Sequence, residues 1–109
     1  MRKTFFAAAL AAIATITGCS SAPTTVTLMS YNIHNGIGLD EVTDYARIGE
    51  MIKSHNPDIV AIQEIDSATT RSNGAYVLGE IAKVAGMKDY YAPAIDYRGG
   101  KYGIGVLCK

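Results

Sequence analysis

Polar residues follow two apolar stretches of this sequence at the points where each stretch is predicted to end as a strand. Asn32 and His34 end the first stretch, and Glu64 ends the second. Because the carboxyl ends of parallel strands meet at one edge of a sheet, we expect these side chains to converge there. Amide and carboxylate oxygens suit Mg²⁺ or Mn²⁺, and one carboxylate with waters commonly holds Mg²⁺ beside a phosphate. The pattern indicates phosphate-ester hydrolysis.

A strand, a helix and a second strand are predicted to position these residues. The β-branched and aromatic run over 26–34 is typical of a strand, and alternation puts both of its candidate residues on one face. Asp44 is placed to cap a helix that ends near His55, where apolar residues recur at helical spacing. The unbroken apolar run over 59–62 is typical of a strand covered on both faces. The three elements form a parallel crossover unit.

A second helix and a hairpin are predicted after the loop that follows Glu64. Apolar residues recur at helical spacing over 77–85, and Gly86 is placed to close this helix. The extended runs over 90–95 and 102–108 flank a glycine turn and predict a hairpin. No helix or polar tail follows the second run to cover its edge, so we expect the chain to be a piece of a larger domain.

The N-terminus has the pattern of an export signal. Two basic residues precede a short apolar run, which is too short for a membrane-spanning helix. Residues 16–19, Ile-Thr-Gly-Cys, resemble a bacterial lipobox, which implies a signal peptide over 1–18, a lipid anchor on Cys19 and a tether over 19–25. The protein is then exported to the bacterial cell envelope and held at a membrane. An ordinary signal peptide with an incidental cysteine is the alternative.

Composition limits the remaining possibilities. With 109 residues the chain allows one small domain, here over 26–109, and excludes two. Ten basic residues balance ten acidic residues, and this neutrality argues against a protein that coats nucleic acid and mildly disfavours duplex DNA. A lipidated Cys19 cannot pair with Cys108, so no disulfide partner is expected, and Cys108 is interpreted as a small buried residue.

Three ordered motifs resemble the opening motifs of one enzyme superfamily. They are SYNIHNG over 30–36, NPDIVAIQEID over 56–66 and YGIGVL over 102–107. Together they are similar to the endonuclease/exonuclease/phosphatase superfamily, which includes DNase I-like nucleases, sphingomyelinases and inositol-polyphosphate phosphatases. The resemblance implies an α/β fold, a four-layer β-sandwich flanked by helices. This chain would hold its first few strands and two helices.

The same resemblance implies roles for two residues, and the sequence suggests weaker candidates beside them. Glu64 matches the metal-binding glutamate of the family, and Asn32 matches an asparagine beside the metal and the scissile phosphate. His34 is a candidate to orient the substrate or polarise its phosphate. Arg71 is a candidate to grip a phosphate, and Tyr102 to line a substrate groove. Solvated loop charges, a structural histidine and a hairpin tip are the alternatives for these three.

Several features of a complete site are missing from the 109 residues. The family uses an Asp-x-Asn motif and a later Asp-His pair, and neither occurs in this sequence. The resemblance implies a Mg²⁺-dependent phosphoesterase that cleaves phosphodiester or phosphomonoester bonds, and we expect this polypeptide to be an incomplete and inactive fragment of it. A non-catalytic, lipid-anchored envelope protein that uses the fold as a binding module is the alternative function. Gly36 and Gly38 follow a strand as in a dinucleotide fingerprint, but Glu41 stands at the third glycine position, which excludes a nicotinamide cofactor. The substrate class stays open.

Overall fold

A computed structural model of the protein describes residue 22 and residues 24–109. The predicted signal segment over 1–18 and the lipidation site Cys19 lie outside these residues, as does part of the predicted tether over 19–25. Among the described residues, no helix has both the length and the apolar character needed to cross a membrane.

The described chain forms a mixed four-stranded sheet with two helices. In chain order the elements are β1 (Leu28–Asn32), a short 3₁₀ turn (His34–Gly36), α1 (Tyr45–His55), β2 (Ile59–Ser67), α2 (Val77–Ala85), β3 (Lys88–Tyr97) and β4 (Gly100–Cys108). The strand order across the sheet is β1-β2-β4-β3. β1 and β2 are parallel, whereas β4 is antiparallel to both β2 and β3. The predicted crossover unit, second helix and hairpin are confirmed.

Local signals explain where α1 begins and ends. The Asp44 carboxylate accepts a hydrogen bond from the Arg47 backbone N–H at 2.9 Å, which satisfies one of the donors left open in the first turn. At the other end Asn56 adopts a left-handed conformation with φ of 49°, and Pro57 follows it. Asparagine tolerates this conformation and proline cannot continue a helix, so α1 ends at His55.

We expect Asp44→Ala to lower the free energy of unfolding by about 1 kcal/mol, because it removes the capping acceptor of α1. Urea denaturation followed by circular dichroism measures the change. Asp44→Asn is the matched control, since asparagine caps as well as aspartate does and should leave stability close to that of the wild type. Equal midpoints for the alanine and asparagine variants would show that the cap contributes nothing.

Both helices cover the same face of the sheet. The buried apolar residues form one cluster between the helices and that face: Ile33, Ile48, Ile52, Val60, Ile62, Ile65, Val77, Leu78, Ile81, Ala82, Ala85 and Leu107. On the other face, Ile59 is 39% exposed and Ile104 is 55% exposed. The prediction that residues 59–62 are covered on both faces is therefore wrong for the described chain, in which burial alternates along β2. The described residues supply one sheet layer and one helix layer.

Candidate functional site

Glu64 lies at an irregularity in β2. The pairing of β2 with β4 shifts register between Ile62 and Ile65, so Glu64 stands outside the regular ladder. Its φ is 63°, a left-handed conformation that a glutamate rarely adopts. Such backbone strain persists only where surrounding structure enforces it, and it concentrates at functional sites. The sequence predicted a strand that ends at Glu64, whereas β2 continues to Ser67 and displaces this residue as a bulge.

The side chains of Asn32 and Glu64 meet at the edge of the sheet. In the parallel pair, Asn32 lies opposite Gln63, one residue before Glu64. The Asn32 Nδ2 donates a hydrogen bond to Glu64 Oε1 at 3.0 Å, and Asn32 Oδ1 accepts one from the His34 backbone N–H at 2.9 Å. Because a backbone N–H can only donate, the second bond fixes which end of the amide faces Glu64. The amide oxygen of Asn32 is thus engaged within the chain.

The position of His34 relative to β1 differs from the prediction. β1 ends at Asn32, and the chain turns through Ile33 into the 3₁₀ turn, where His34 has φ of 47° and Asn35 has φ of 55°. Strand alternation does not extend beyond Asn32, so the prediction that Asn32 and His34 share one strand face is wrong. The His34 side chain is exposed, and its backbone N–H makes the contact with Asn32. Asn35-Gly36 is a dipeptide that favours turns, which explains why the chain leaves the strand before this point.

Arg71 is bound to an acidic residue that lies just beyond the bulge. Its Nε and Nη2 donate to the two carboxylate oxygens of Asp66, each at 2.8 Å, and Nη2 also donates to Asn35 Oδ1 at 2.7 Å. Asp66 is only 1% exposed. This fork of two parallel hydrogen bonds is the strong geometry of arginine with a carboxylate, and it raises the pKa of Arg71. Asp66 lies on β2, and nothing in the sequence indicated that it pairs with Arg71.

Two tyrosines pack beside Arg71. Its guanidinium carbon lies 4.7 Å from the centre of the Tyr97 ring and 5.7 Å from that of Tyr102. The two rings are 5.8 Å apart. Desolvation chiefly raises the pKa of Tyr102, and the negative charge of Glu64 raises it further, so the phenol stays neutral beside the glutamate. Tyr102 pairs with Asp66 in the ladder between β2 and β4, two residues beyond Glu64, and Tyr97 is a neighbour that no sequence pattern indicated.

One carboxylate dominates the set of possible metal ligands. Within residue 22 and residues 24–109, no group of three or more His, Cys, Asp or Glu side chains could hold a metal ion together. Glu64 keeps a second oxygen beyond the one bonded to Asn32, and it is half-buried at the edge of the sheet. A single carboxylate supplemented by waters and a substrate phosphate is a usual arrangement for Mg²⁺. The donor set fits this arrangement.

A separate cavity of about 470 Å³ lies between β1, α1 and the loop that joins them. Its lining is mainly apolar and includes Tyr31, Ile33 and Met51. At its rim, Arg47 donates to Asp40 at 2.7 Å, and this hydrogen bond lowers the pKa of Asp40 to about 2. None of the candidate site residues lines this cavity, so it is distinct from the Asn32–Glu64 edge.

Comparison with known proteins identifies the class of fold. The crystal structure of an endonuclease/exonuclease/phosphatase from Beutenbergia cavernae DSM 12333 matches with a TM-score of 0.59 at 18% sequence identity. The match covers 76% of this chain and 25% of that chain, so this sequence spans about a quarter of its length. The mixed sheet and its two helices are part of a DNase I-like α/β fold. No curated protein matches the chain.

The family follows from a second comparison. The model of the Endonuclease/Exonuclease/phosphatase family matches residues 29–109. The chain belongs to this family, as the three sequence motifs indicated. Members of the family are generally hydrolytic enzymes, and they commonly use divalent metals.

Proposed function

We propose that this chain carries the metal-holding edge of a Mg²⁺- or Mn²⁺-dependent phosphoesterase that cleaves phosphodiester or phosphomonoester bonds. The observation that carries the proposal is Glu64, which stands at a strained bulge within β2 and is held by Asn32 at the end of β1. Family membership supports hydrolysis as the class of reaction.

The proposal assigns a role to each of Glu64, Asn32 and His34. Glu64 holds the cation, and Asn32 orients Glu64 through the hydrogen bond that its Nδ2 donates to Glu64 Oε1. The amide oxygen accepts only the His34 N–H and keeps a second lone pair, so Asn32 remains a candidate ligand of the cation as well. A bound divalent cation neutralises phosphate oxygens and stabilises the charge that develops on them during hydrolysis. His34, exposed on the adjoining turn, is placed to orient a substrate.

The 109 residues are proposed to bind the cation without completing catalysis. Phosphoryl chemistry needs charge neutralisation, a positioned water and a stabilised leaving group together. The family's Asp-x-Asn and Asp-His motifs, which supply the remaining groups, do not occur in this sequence. Removing whole members of such a set takes away most of the rate acceleration. The second candidate function is a lipid-anchored envelope protein that uses the same fold as a binding module without catalysis.

Titration with Mn²⁺ tests the proposal on the 109-residue chain. Electron paramagnetic resonance of free Mn²⁺ measures its binding, and we expect Glu64→Gln to weaken it by about tenfold or more, because the substitution removes the carboxylate that Asn32 holds. Glu50→Gln is the matched control, since Glu50 lies exposed on α1 and should leave the affinity unchanged.

Two results would contradict the proposal. Identical titrations for the wild type and Glu64→Gln would remove Glu64 from any metal site. Hydrolysis of bis(p-nitrophenyl) phosphate by the purified 109-residue chain would overturn its proposed inactivity, and with it the binding-module alternative.

The cellular setting is also a proposal. We infer that the protein is exported to the bacterial envelope and is held at a membrane by a lipid on Cys19, on the basis of the lipobox resemblance over 16–19. The substrate is a phosphoester whose class the loops of the complete domain would select.

A further inference from the structure

The Arg71 guanidinium joins three segments of the chain around the candidate site. It binds Asp66, which lies two residues beyond Glu64 on β2, and it donates to Asn35 in the 3₁₀ turn after β1. It also packs on Tyr97, at the end of β3. One side chain thus connects the strand that carries Glu64 with the turn that follows Asn32.

These contacts use most of the hydrogen-bonding capacity of Arg71. A guanidinium has five N–H donors in a fixed fork. The Nε–H and the Nη2 group are directed at Asp66 and Asn35, and Nη1 makes only a long contact of 3.5 Å with Tyr97 Oη. The geometry therefore favours a role within the chain over the predicted grip on a substrate phosphate, for which only Nη1 would remain.

The contact with Asn35 leads directly to Glu64. His34 and Asn35 both have left-handed backbone conformations, which neighbouring groups must hold in place. The turn presents the His34 N–H to Asn32 Oδ1, and the other end of the same amide donates to Glu64 Oε1. A shift of the turn would release Asn32 and leave the Glu64 carboxylate without its partner. Three hydrogen bonds, together with the backbone that joins Asn35 to His34, thus connect Arg71 to Glu64.

We propose that Arg71 is a positioning residue, which fixes the turn after β1 through Asn35 and so holds Asn32 against Glu64. The part of this inference that concerns cation affinity rests on the proposed function. Its structural part does not, because it concerns hydrogen bonds within the chain. A lysine cannot replace Arg71 in this role, since a single ammonium lacks the fork needed to reach Asp66 and Asn35 together.

Amide hydrogen exchange by NMR tests the structural part without any metal. In Arg71→Lys we expect the His34 N–H to exchange about tenfold faster relative to the Val60 N–H of the central strand, as its hydrogen bond to Asn32 is lost. In the same variant we expect Mn²⁺ affinity to fall by about tenfold, the usual effect of removing the partner of a metal ligand.

Arg98→Lys is the matched control. Arg98 also packs on Tyr97, at 5.4 Å from the ring centre, but it makes no hydrogen bond to Asp66 or Asn35 in the described structure. The control makes the same chemical change near the same ring, and it should alter neither the exchange of His34 nor the affinity for Mn²⁺.

Asn35→Gly provides a second variant in case Arg71→Lys folds poorly. Glycine accepts the φ of 55° at this position, so the substitution removes the side-chain contact with Arg71 and leaves the turn sterically allowed. The pair between Arg71 and Asp66 stays intact. We expect the same acceleration of His34 exchange and the same loss of Mn²⁺ affinity as in Arg71→Lys.

Three results would overturn the inference. Unchanged His34 exchange in both variants would show that Arg71 does not hold the turn. Unchanged His34 exchange together with weaker binding of inorganic phosphate to the Arg71→Lys protein would assign Arg71 to the substrate instead. Faster exchange with unchanged Mn²⁺ affinity would confine Arg71 to a structural role. If the wild-type chain binds no Mn²⁺, the proposed function fails separately, and the exchange data still decide whether Arg71 holds the turn.

Discussion

Replacing Gly103 with alanine is expected to lower the free energy of unfolding by about 3 kcal/mol, the upper part of the range for overpacking a buried position. Gly103 is buried in β4 between two other strands, paired with Ile65 of β2 and Pro93 of β3. A Cβ at this position would lie against the carbonyl oxygen of Ala92, and within 3.0 Å of the Ala94 nitrogen. These are backbone atoms of the neighbouring strand, so no rotamer change can relieve the contact.

The position of Gly103 connects this loss of stability to the site. The register shifts that interrupt β2 and β3 fall on either side of it, after Ile62 and after Pro93. Moving β3 or β4 to accept a methyl group would therefore disturb the pairing that displaces Glu64 from the ladder. We expect Gly103→Ala to change the NMR signals of residues 62–65 as well as to lower stability.

Urea denaturation measures the stability change, and Ile104→Thr is its control. Ile104 adjoins Gly103, is 55% exposed and keeps a β-branched side chain when replaced by threonine. Its substitution should change the free energy of unfolding by no more than about 0.5 kcal/mol. A Gly103→Ala protein as stable as Ile104→Thr would show that the strands yield at this position.

The helices and the hairpin could be predicted because their signals are local. Asp44 and Gly86 lie at the ends of the helices that they cap, and the Arg98-Gly99 turn joins two extended runs directly. In each case the residue that determines the boundary lies within a few positions of it. The sequence is sufficient to predict a helix or a hairpin when the residues that determine its boundaries are this close to it along the chain.

The bulge and the arginine contacts could not be predicted for the opposite reason. Glu64 leaves the ladder because β2 pairs with β4, about 40 residues further along the chain, and Arg71 reaches Asn35 from 36 residues away. Neither relation leaves a periodic pattern in the sequence. The proximity of Asn32 and Glu64 was easier to expect, since a parallel crossover places β1 and β2 side by side in the same direction, and the end of β1 then lies beside Glu64.

The second large effect is expected at the contact between α2 and the sheet, where Leu78→Ala should lower the free energy of unfolding by about 3 kcal/mol. Leu78 is fully buried, and it packs over Gly105 of β4. A Cβ built on Gly105 would lie 2.5 Å from Leu78 Cδ2 and 3.1 Å from Ile65 Cδ1. The glycine thus makes room for the leucine.

Because the two residues share one space, their substitutions should not be additive. Gly105→Ala alone is expected to lower stability by about 1 to 2 kcal/mol through overpacking, since Leu78 is too tightly packed to move freely. In the double variant the new methyl group enters the cavity that Leu78→Ala leaves. We expect its total loss to be about 1.5 kcal/mol smaller than the sum of the single losses.

Urea denaturation of the four proteins in this cycle measures the coupling. A parallel cycle with Ile81→Ala is the control, because Ile81 is equally buried on α2 but is not among the nearest atoms to the Gly105 Cβ position. There the effects should add to within about 0.5 kcal/mol. Additive losses in the Leu78 cycle as well would mean that α2 moves to accept the larger residue, and that the close contact over Gly105 does not fix the position of the helix on the sheet.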